Sequence, residues 1–303
     1  MAFAAFSSNV KVDAKPTKTG KVVIALLAPG LAYLGVFFLT PLIALIMVSL
    51  QVPDPTGVYG KYVPAFEIGN YAYVISEYFP HIIRSFSYAL IATLLALIIS
   101  YPLAYFIGVK ARPWPLLQKL MLTLVIAPFF ISFLLRTLAW KQIFSNESWI
   151  VTTLQQIGFL GPDQYVVGTP FMVIFGLTYN FIPFMTLPLY TSLERLDIRY
   201  LEAGADLYAS PAKVFRKITF PLSLPGVISG TLLTFIPIAG DYINASGEFL
   251  GSPETAMLGN TIEANFLSIN DYPSASALSV LLMGAILILV TLYVKRSGTE
   301  DLL

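Results

Sequence analysis

Six long apolar runs constrain this chain more than any motif does. They lie at roughly 22–50, 86–108, 117–139, 167–192, 222–245 and 274–294. A helix needs about 20 mostly apolar residues to cross about 30 Å of hydrocarbon. Inside lipid its backbone polar groups must be satisfied within the segment. Each run is therefore read as a transmembrane helix. The first is longer than the apolar core of a signal peptide and has no small-residue cleavage site after it, so it is expected to remain as a span. Pro29-Gly30 and Pro41 within it predict a kink or tilt, which neighbours in lipid tolerate. Six spans leave room for an N-terminal arm at 1–21, one transmembrane unit at 22–296 and a short tail at 297–303, and for no soluble domain. The predicted fold class is all-α membrane protein, six transmembrane helices.

Composition agrees: 12% of residues are charged, against about a quarter in soluble domains. A net charge of +1 gives no electrostatic case for nucleic acid. With no cysteine and a single histidine, His81, thiol chemistry, disulfides and clustered-histidine metal sites are excluded. No catalytic residue and no metal ligand is assigned, and an enzyme is disfavoured. Orientation follows from the basic residues. With six spans both termini share a side, and fourteen of the 18 lysines and arginines fall on it against four on the other. The positive-inside rule then places both termini in the cytoplasm. Trp140 and Trp149 near outer ends, and Trp114 near an inner turn, fit an aromatic belt.

Between the fourth and fifth runs lies a polar stretch, RYLEAGADLYASPAKVFRKITFP, residues 199–221. It reads as a helical hairpin on the cytoplasmic side. Asp197 is the expected cap of a first helix running to about Tyr208, with Leu201, Ala205 and Tyr208 as an apolar stripe and Glu202 and Asp206 on a polar face. Ser210-Pro211 restarts a second helix, which Pro221 and Pro225 are expected to end. A solvated loop obeying charge topology is one reading of it; a docking helix for a cytoplasmic partner is the other.

Residues 202–221 resemble the EAA loop of ABC-importer permeases: Glu-Ala-Ala, three residues, Gly, nine residues, Ile-x-Leu-Pro. This chain has Glu202, Ala203, Gly204, Tyr208, Ile218, Phe220 and Pro221 at those positions. It departs at Gly204, Tyr208 and Phe220. A bulky residue disfavours positive φ, so the bend at Tyr208 is expected to differ. VIAPFFISFLLRTLAW (125–140), NFIPFMTLPLYTSLERLD (180–197) and AMLGNTIEANFL (256–267) extend the likeness to permease subunits of spermidine/putrescine importers. The resemblance implies a type I ABC-importer permease fold, in a bacterial inner membrane. It also implies that Glu202, flanked by Leu201, Ala203, Gly204, Ala205, Asp206 and Tyr208, couples to an ATPase. The partners implied are an ATPase subunit dimer, a second and paralogous permease, an extracytoplasmic substrate-binding protein and lipid. No GxxxxGK[ST] phosphate loop occurs in the sequence. ATP and Mg would be handled by the partner and no cofactor by this chain.

From Ile218 to Val294 there is no lysine or arginine, and ten acids face four bases outside. A negative vestibule favours a cation over an anion, and the same asymmetry also completes the charge topology. Polar residues at membrane depth mark a pathway or helix packing. Tyr179, Asn180 and Thr234 lie near mid-membrane. Asp241 and Tyr242 follow Pro237 and Gly240 near the outer interface. Carboxylate and aromatic faces together suit a polyamine. Arg136 is expected to snorkel to headgroups, and Ile150, Leu154 and Ile157 to face one side of an outer surface helix. An ion- or proton-coupled secondary transporter is the alternative reading; such proteins often carry internal repeats, and none is evident here.

Overall fold

The computed structural model describes residues 19–296. The arm up to residue 18 and the tail 297–303 lie outside the described residues. In chain order the helices and strands are α1 (Thr19–Leu34), α2 (Thr40–Ser49), β1 (Val52–Pro53), β2 (Tyr62–Val63), α3 (Gly69–Glu77), α4 (Phe79–Tyr105), α5 (Pro115–Ile126), α6 (Phe133–Ile143), α7 (Trp149–Gln156), α8 (Pro170–Glu194), α9 (Ile198–Asp206), α10 (Pro211–Val214), α11 (Phe220–Ala239), α12 (Leu258–Leu267) and α13 (Tyr272–Arg296). The chain forms two compact units that divide between Met47 and Val48. In the second, β1 and β2 make a two-stranded antiparallel hairpin with Val52 opposite Val63. Lys61 closes it on Asp54 at 2.7 Å.

Helices long and apolar enough to span a membrane cover Val23–Ser49, Phe79–Lys110, Pro170–Glu194, Pro211–Ala239 and Tyr272–Lys295. The third expected span is not one straight helix. Pro115–Phe130 and Phe133–Ile143 meet at 93°, where Pro128 sits in a short 3-10 turn and Ile131 is extended. The pair nonetheless runs the length of α8. Gln118 reaches Tyr190 at one end (3.5 Å), Phe129 packs on Phe184 (ring centroids 4.9 Å apart) and Trp140 packs on Phe175 (4.9 Å) at the other. It is a broken sixth crossing.

The helix continues past Pro41, and past Pro221, which was expected to end it. A proline inside a helix lacks an N–H, and its ring clashes with the carbonyl four residues back. Pro41 follows a π turn at Gly35–Leu39, in which Thr40 N–H bonds to the Gly35 carbonyl. Pro221 follows one at Phe215–Thr219, in which Phe220 N–H bonds to the Phe215 carbonyl. A five-residue hydrogen-bond step shifts the carbonyls where the ring needs room. Helix α1 likewise continues through Pro29. As a result the second limb of the hairpin and the fifth span form one helical stretch from Pro211 to Ala239, which ends six residues short of the expected 245.

The core of the second unit is the contact of α4, α8 and α11. In lipid, association rests on close packing, since hydrocarbon surrounds apolar side chains either way. Accordingly α4 buries Ser85, Ala89, Ala92, Thr93, Ala96, Ser100 and Ala104, a stripe of small residues. Around it sit Val173, Leu177, Phe181 and Ile238 toward one end and Met185, Leu189, Leu193 and Val227 toward the other. Gly226 and Gly230, four apart on α11, let it approach α8. A Cβ on Gly226 would lie 2.8 Å from the Pro188 carbonyl oxygen, and one on Gly230 3.1 Å from that of Met185. Overpacking of this kind costs about 1–3 kcal/mol. Gly226→Ala is expected to lower the melting temperature of the detergent-purified protein by several degrees. Gly284→Ala, where an added Cβ meets nothing within 4 Å, is expected to leave it unchanged.

Candidate functional site

The cytoplasmic hairpin is built from local caps. The Asp197 side chain accepts from the Arg199 N–H at 3.0 Å and starts α9. At the far end Tyr208 N–H bonds to the Ala205 carbonyl (2.9 Å) and Ala209 N–H to that of Gly204 (3.1 Å). This pair of bonds is the Schellman closure, which puts the residue past the cap in the left-handed region and so favours glycine there. Here that residue is Tyr208, with φ 55°. Tyr208 thus adopts the left-handed conformation that its bulk disfavours. The helix stops at Asp206 rather than Tyr208.

The first limb meets the second through Gly204, not Ala205. A Cβ at Gly204 would lie 3.0 Å from Ile218 Cδ1 and 3.1 Å from Val214 Cγ2. Glycine in place of the motif's second alanine thus lets the two limbs close on each other. Leu201 is half-buried beside it, while Ala203 and Ala205 are exposed. Glu202 and Asp206 point to solvent, as expected. At the tip Leu207 and Tyr208 project almost fully, Tyr208 at 99% exposure. The outward surface is thus acidic along one side and apolar at its end.

The pathway candidates fall into different surroundings. Asn180, 1% exposed, donates from Nδ2 to Thr137 Oγ1 (3.2 Å) and to Asn244 Oδ1 (3.1 Å). Asn244 then donates from Nδ2 to Asp241 Oδ1 (3.0 Å) and from its backbone N–H to Asp241 Oδ2 (2.8 Å). Four residues from α6, α8 and the loop after α11 thus form one buried directional chain, and low surrounding dielectric strengthens it. Asn180 Oδ1 finds no partner among the described residues, and neither do Thr234 Oγ1 and Arg136 Nε. Arg136 does not snorkel. It is 9% exposed and lies over the Phe133 ring, 5.8 Å from its centroid. Tyr179 packs edge-on to Trp140 at 5.1 Å. It lines a cavity of about 320 Å³ with Leu103, Met121 and Pro128. Tyr242 is half-exposed, and its carbonyl accepts from Asn260 at 2.6 Å. Thr137 and Asn244 were not singled out in the sequence, because only the fold brings them to Asn180.

A larger groove of about 850 Å³ follows α8 and α11 from Phe184 and Leu233 down to Arg195, Asp197 and Tyr200. Ser229 and Gly226 line it, whereas Tyr179, Asn180, Thr234, Asp241 and Tyr242 do not. It is a mostly apolar trough that runs along the membrane depth and opens at the root of the hairpin.

Six crossings with a two-helix loop before the last two define an import permease of the type I ABC class. The chain belongs to the family of binding-protein-dependent transport system inner membrane components, which it matches over residues 123–297. It is accordingly a multi-pass inner-membrane transport protein. Among its relatives is the spermidine/putrescine transport system permease protein PotB of Escherichia coli strain K12, 35% identical over 236 residues, or 77% of this chain and 83% of that one. The Haemophilus influenzae PotB is 31% identical over 281 residues, 92% of this chain and 94% of that one. The fold is also that of a bacterial ABC transporter involved in the import of the acidic polysaccharide alginate (TM-score 0.68, 17% identity, covering 93% of this chain and 97% of that one). It is shared with the inward-facing methionine transporter MetNI as well (TM-score 0.51, 19% identity, 73% and 92%).

Two stability tests follow from this geometry. Left-handed backbone costs a non-glycine residue about 1–2 kcal/mol, so Tyr208→Gly is expected to raise thermal stability by about 1 kcal/mol, read by melting in mild detergent. Asp241 lies past the end of α11. Burial pushes its carboxyl up to about 6, against the hydrogen bonds from Asn244, Ala245 and Ile243 that hold it down. The folded state therefore binds the proton more tightly than the unfolded chain does. The contribution of this group to stability is full below about pH 4, falls as pH rises toward about 6 and is lost above, by on the order of 2–3 kcal/mol. Asp241→Asn is expected to remove that part of the slope between pH 4 and 6.5 when its melting curve is compared with the wild type.

Proposed function

We propose that this chain is a permease subunit of an ATP-driven importer of polyamines, spermidine or putrescine, working by alternating access. The likeness to PotB over most of the chain carries the reading, and the capped hairpin at the expected place supports it. The fold alone would not serve, since a permease of the same architecture handles an acidic polysaccharide. In this reading a separate ATPase dimer binds ATP and Mg and grips the outward face of α9. Glu202 is the coupling residue, with Leu201, Ala203, Gly204, Ala205, Asp206 and Tyr208 around it. A second, paralogous permease covers the groove along α8 and α11, and an extracytoplasmic binding protein delivers the substrate.

The pathway is proposed to pass Tyr179, Asn180, Thr234, Asp241 and Tyr242. A buried carboxylate whose hydrogen bonds come from neutral amide N–H groups keeps its net negative charge, and low dielectric strengthens the attraction of that charge for an arriving ammonium. The acidic outer surface favours the same sign of substrate.

Uptake of labelled spermidine into cells that depend on this system tests the reading. Glu202→Arg is expected to leave the protein in the membrane at its normal level and to cut ATP-driven uptake at least tenfold. Normal uptake by that variant removes Glu202 from the mechanism. Uptake that survives ATP depletion but collapses with the proton gradient would favour a secondary transporter.

A further inference from the structure

Arg112 stands on the turn between the second and third crossings, just before Pro113. Its guanidinium donates to four backbone carbonyls. Nε bonds to Gly108, Nη1 to Leu196 at 3.0 Å, and Nη2 to Leu193 at 2.7 Å and to Glu194. Three of these carbonyls lie at or just past the end of α8, where helix carbonyls lose their regular partners; that of Leu193 also accepts from the Leu196 N–H at 3.3 Å. A cation there is also favoured by the helix dipole. Among the described residues no carboxylate is a hydrogen-bond partner of it; Glu194 turns its own carboxylate to the Tyr190 hydroxyl at 2.5 Å. Gly108 permits the approach: an added Cβ would come within 3.3 Å of both Leu193 Cβ and the Glu194 nitrogen. Nearby, Tyr101 of α4 bonds Ser223 at 2.7 Å and packs edge-on to Phe215 at 5.4 Å, where the second limb enters α11.

We propose that Arg112 is a positioning residue for coupling, a clamp that fixes the root of the hairpin to the end of the second crossing. The last clamped carbonyl belongs to Leu196, and the next residue, Asp197, caps α9. No free joint separates them, so a push on α9 moves α8 and the inner end of α4 together instead of bending the chain at residues 195–197. The planar five-donor fork of arginine suits this task, and a lysine ammonium does not reproduce it. The inference rests on the ATPase-coupling reading above.

The test uses the whole transporter, purified from its native membrane and placed in lipid vesicles, with labelled spermidine as the probe. ATP hydrolysed per spermidine transported is measured for wild type, Arg112→Ala, Arg112→Lys and Glu202→Arg. Arg112→Ala is expected to raise that ratio about tenfold through a lower uptake kcat, with the KM for spermidine unchanged, and Arg112→Lys to fall between it and wild type. A residue that only stabilises the fold would lower uptake and hydrolysis together and leave the ratio alone. A wild-type ratio in Arg112→Ala, beside a disturbed ratio in Glu202→Arg, overturns the clamp and spares the coupling reading. A wild-type ratio in Glu202→Arg overturns the coupling reading itself. Should the alanine variant not assemble, the lysine variant decides, and a wild-type ratio there overturns the clamp.

Discussion

The close approach of α4, α8 and α11 is the contact on which the rest of the second unit depends. In lipid, a leucine gains little by leaving hydrocarbon for protein, so backbone proximity has to supply what the hydrophobic effect supplies in water. The stripe from Ser85 to Ala104 and the glycine pair Gly226 and Gly230 are that proximity written in residue types. Bulk sits on the facing helix instead, as Leu177, Met185, Leu189 and Leu193. Fixed axes in the middle of the bundle allow small polar contacts at both ends to hold their geometry. At the outer end Arg84 bonds the Ala256 carbonyl at 2.6 Å and Ser85 accepts from the Leu258 N–H at 2.7 Å. At the inner end Tyr101 holds Ser223 and packs on Phe215 of the second limb, and Arg112 holds the carbonyls at the end of α8.

Backbone hydrogen bonding separates the fates of three of the prolines, Pro41, Pro221 and Pro128. A proline leaves a carbonyl without its donor and crowds the one four residues back. Where the preceding turn widens to a π step the helix survives, as before Pro41 and Pro221. Where it tightens to a 3-10 turn and then extends, as at Ala127–Ile131, the helix breaks and turns through 93°. The widening before Pro221 has a mechanical consequence. It makes the second limb and the fifth crossing one rod, so the hairpin is not hung from a loop on that side.

Much of this was legible in the residues, and what was not follows a physical rule. The spans could be read because twenty apolar residues leave few alternatives. The cap at Asp197 and the restart at Ser210-Pro211 could be read because capping is chemistry between near neighbours. The third crossing misled because its composition is continuous while its backbone is not. Pro221 misled for the opposite reason, since the rescue lies in the turn upstream and leaves no residue signature. Arg136 is apt to be placed by its charge, and only the fold reveals that α6 turns it inward over Phe133. Arg112 carried a weak signal: Pro113 bars the preceding helix from continuing and Pro115 opens the next, which leaves its long fork on a turn with helix ends nearby. The chain from Thr137 through Asn180 and Asn244 to Asp241 joins residues up to about a hundred positions apart and could not be assembled from spacing.

Tyr208 shows how a local rule yields to a global one. Two hydrogen bonds, a closed contact at Gly204 and the continuous rod beyond Ser210 together specify the turn, and the left-handed residue is held there although its side chain opposes it. Glycine would satisfy the turn at lower cost. A large aromatic at 99% exposure gains nothing from this chain in return. Strain that persists where the surrounding structure over-determines it tends to sit at sites of interaction, and this one lies at the outermost point of the hairpin. Under the coupling reading, the ring would fill space on the ATPase rather than on the permease. Stability and coupling then pull in opposite directions at this one position.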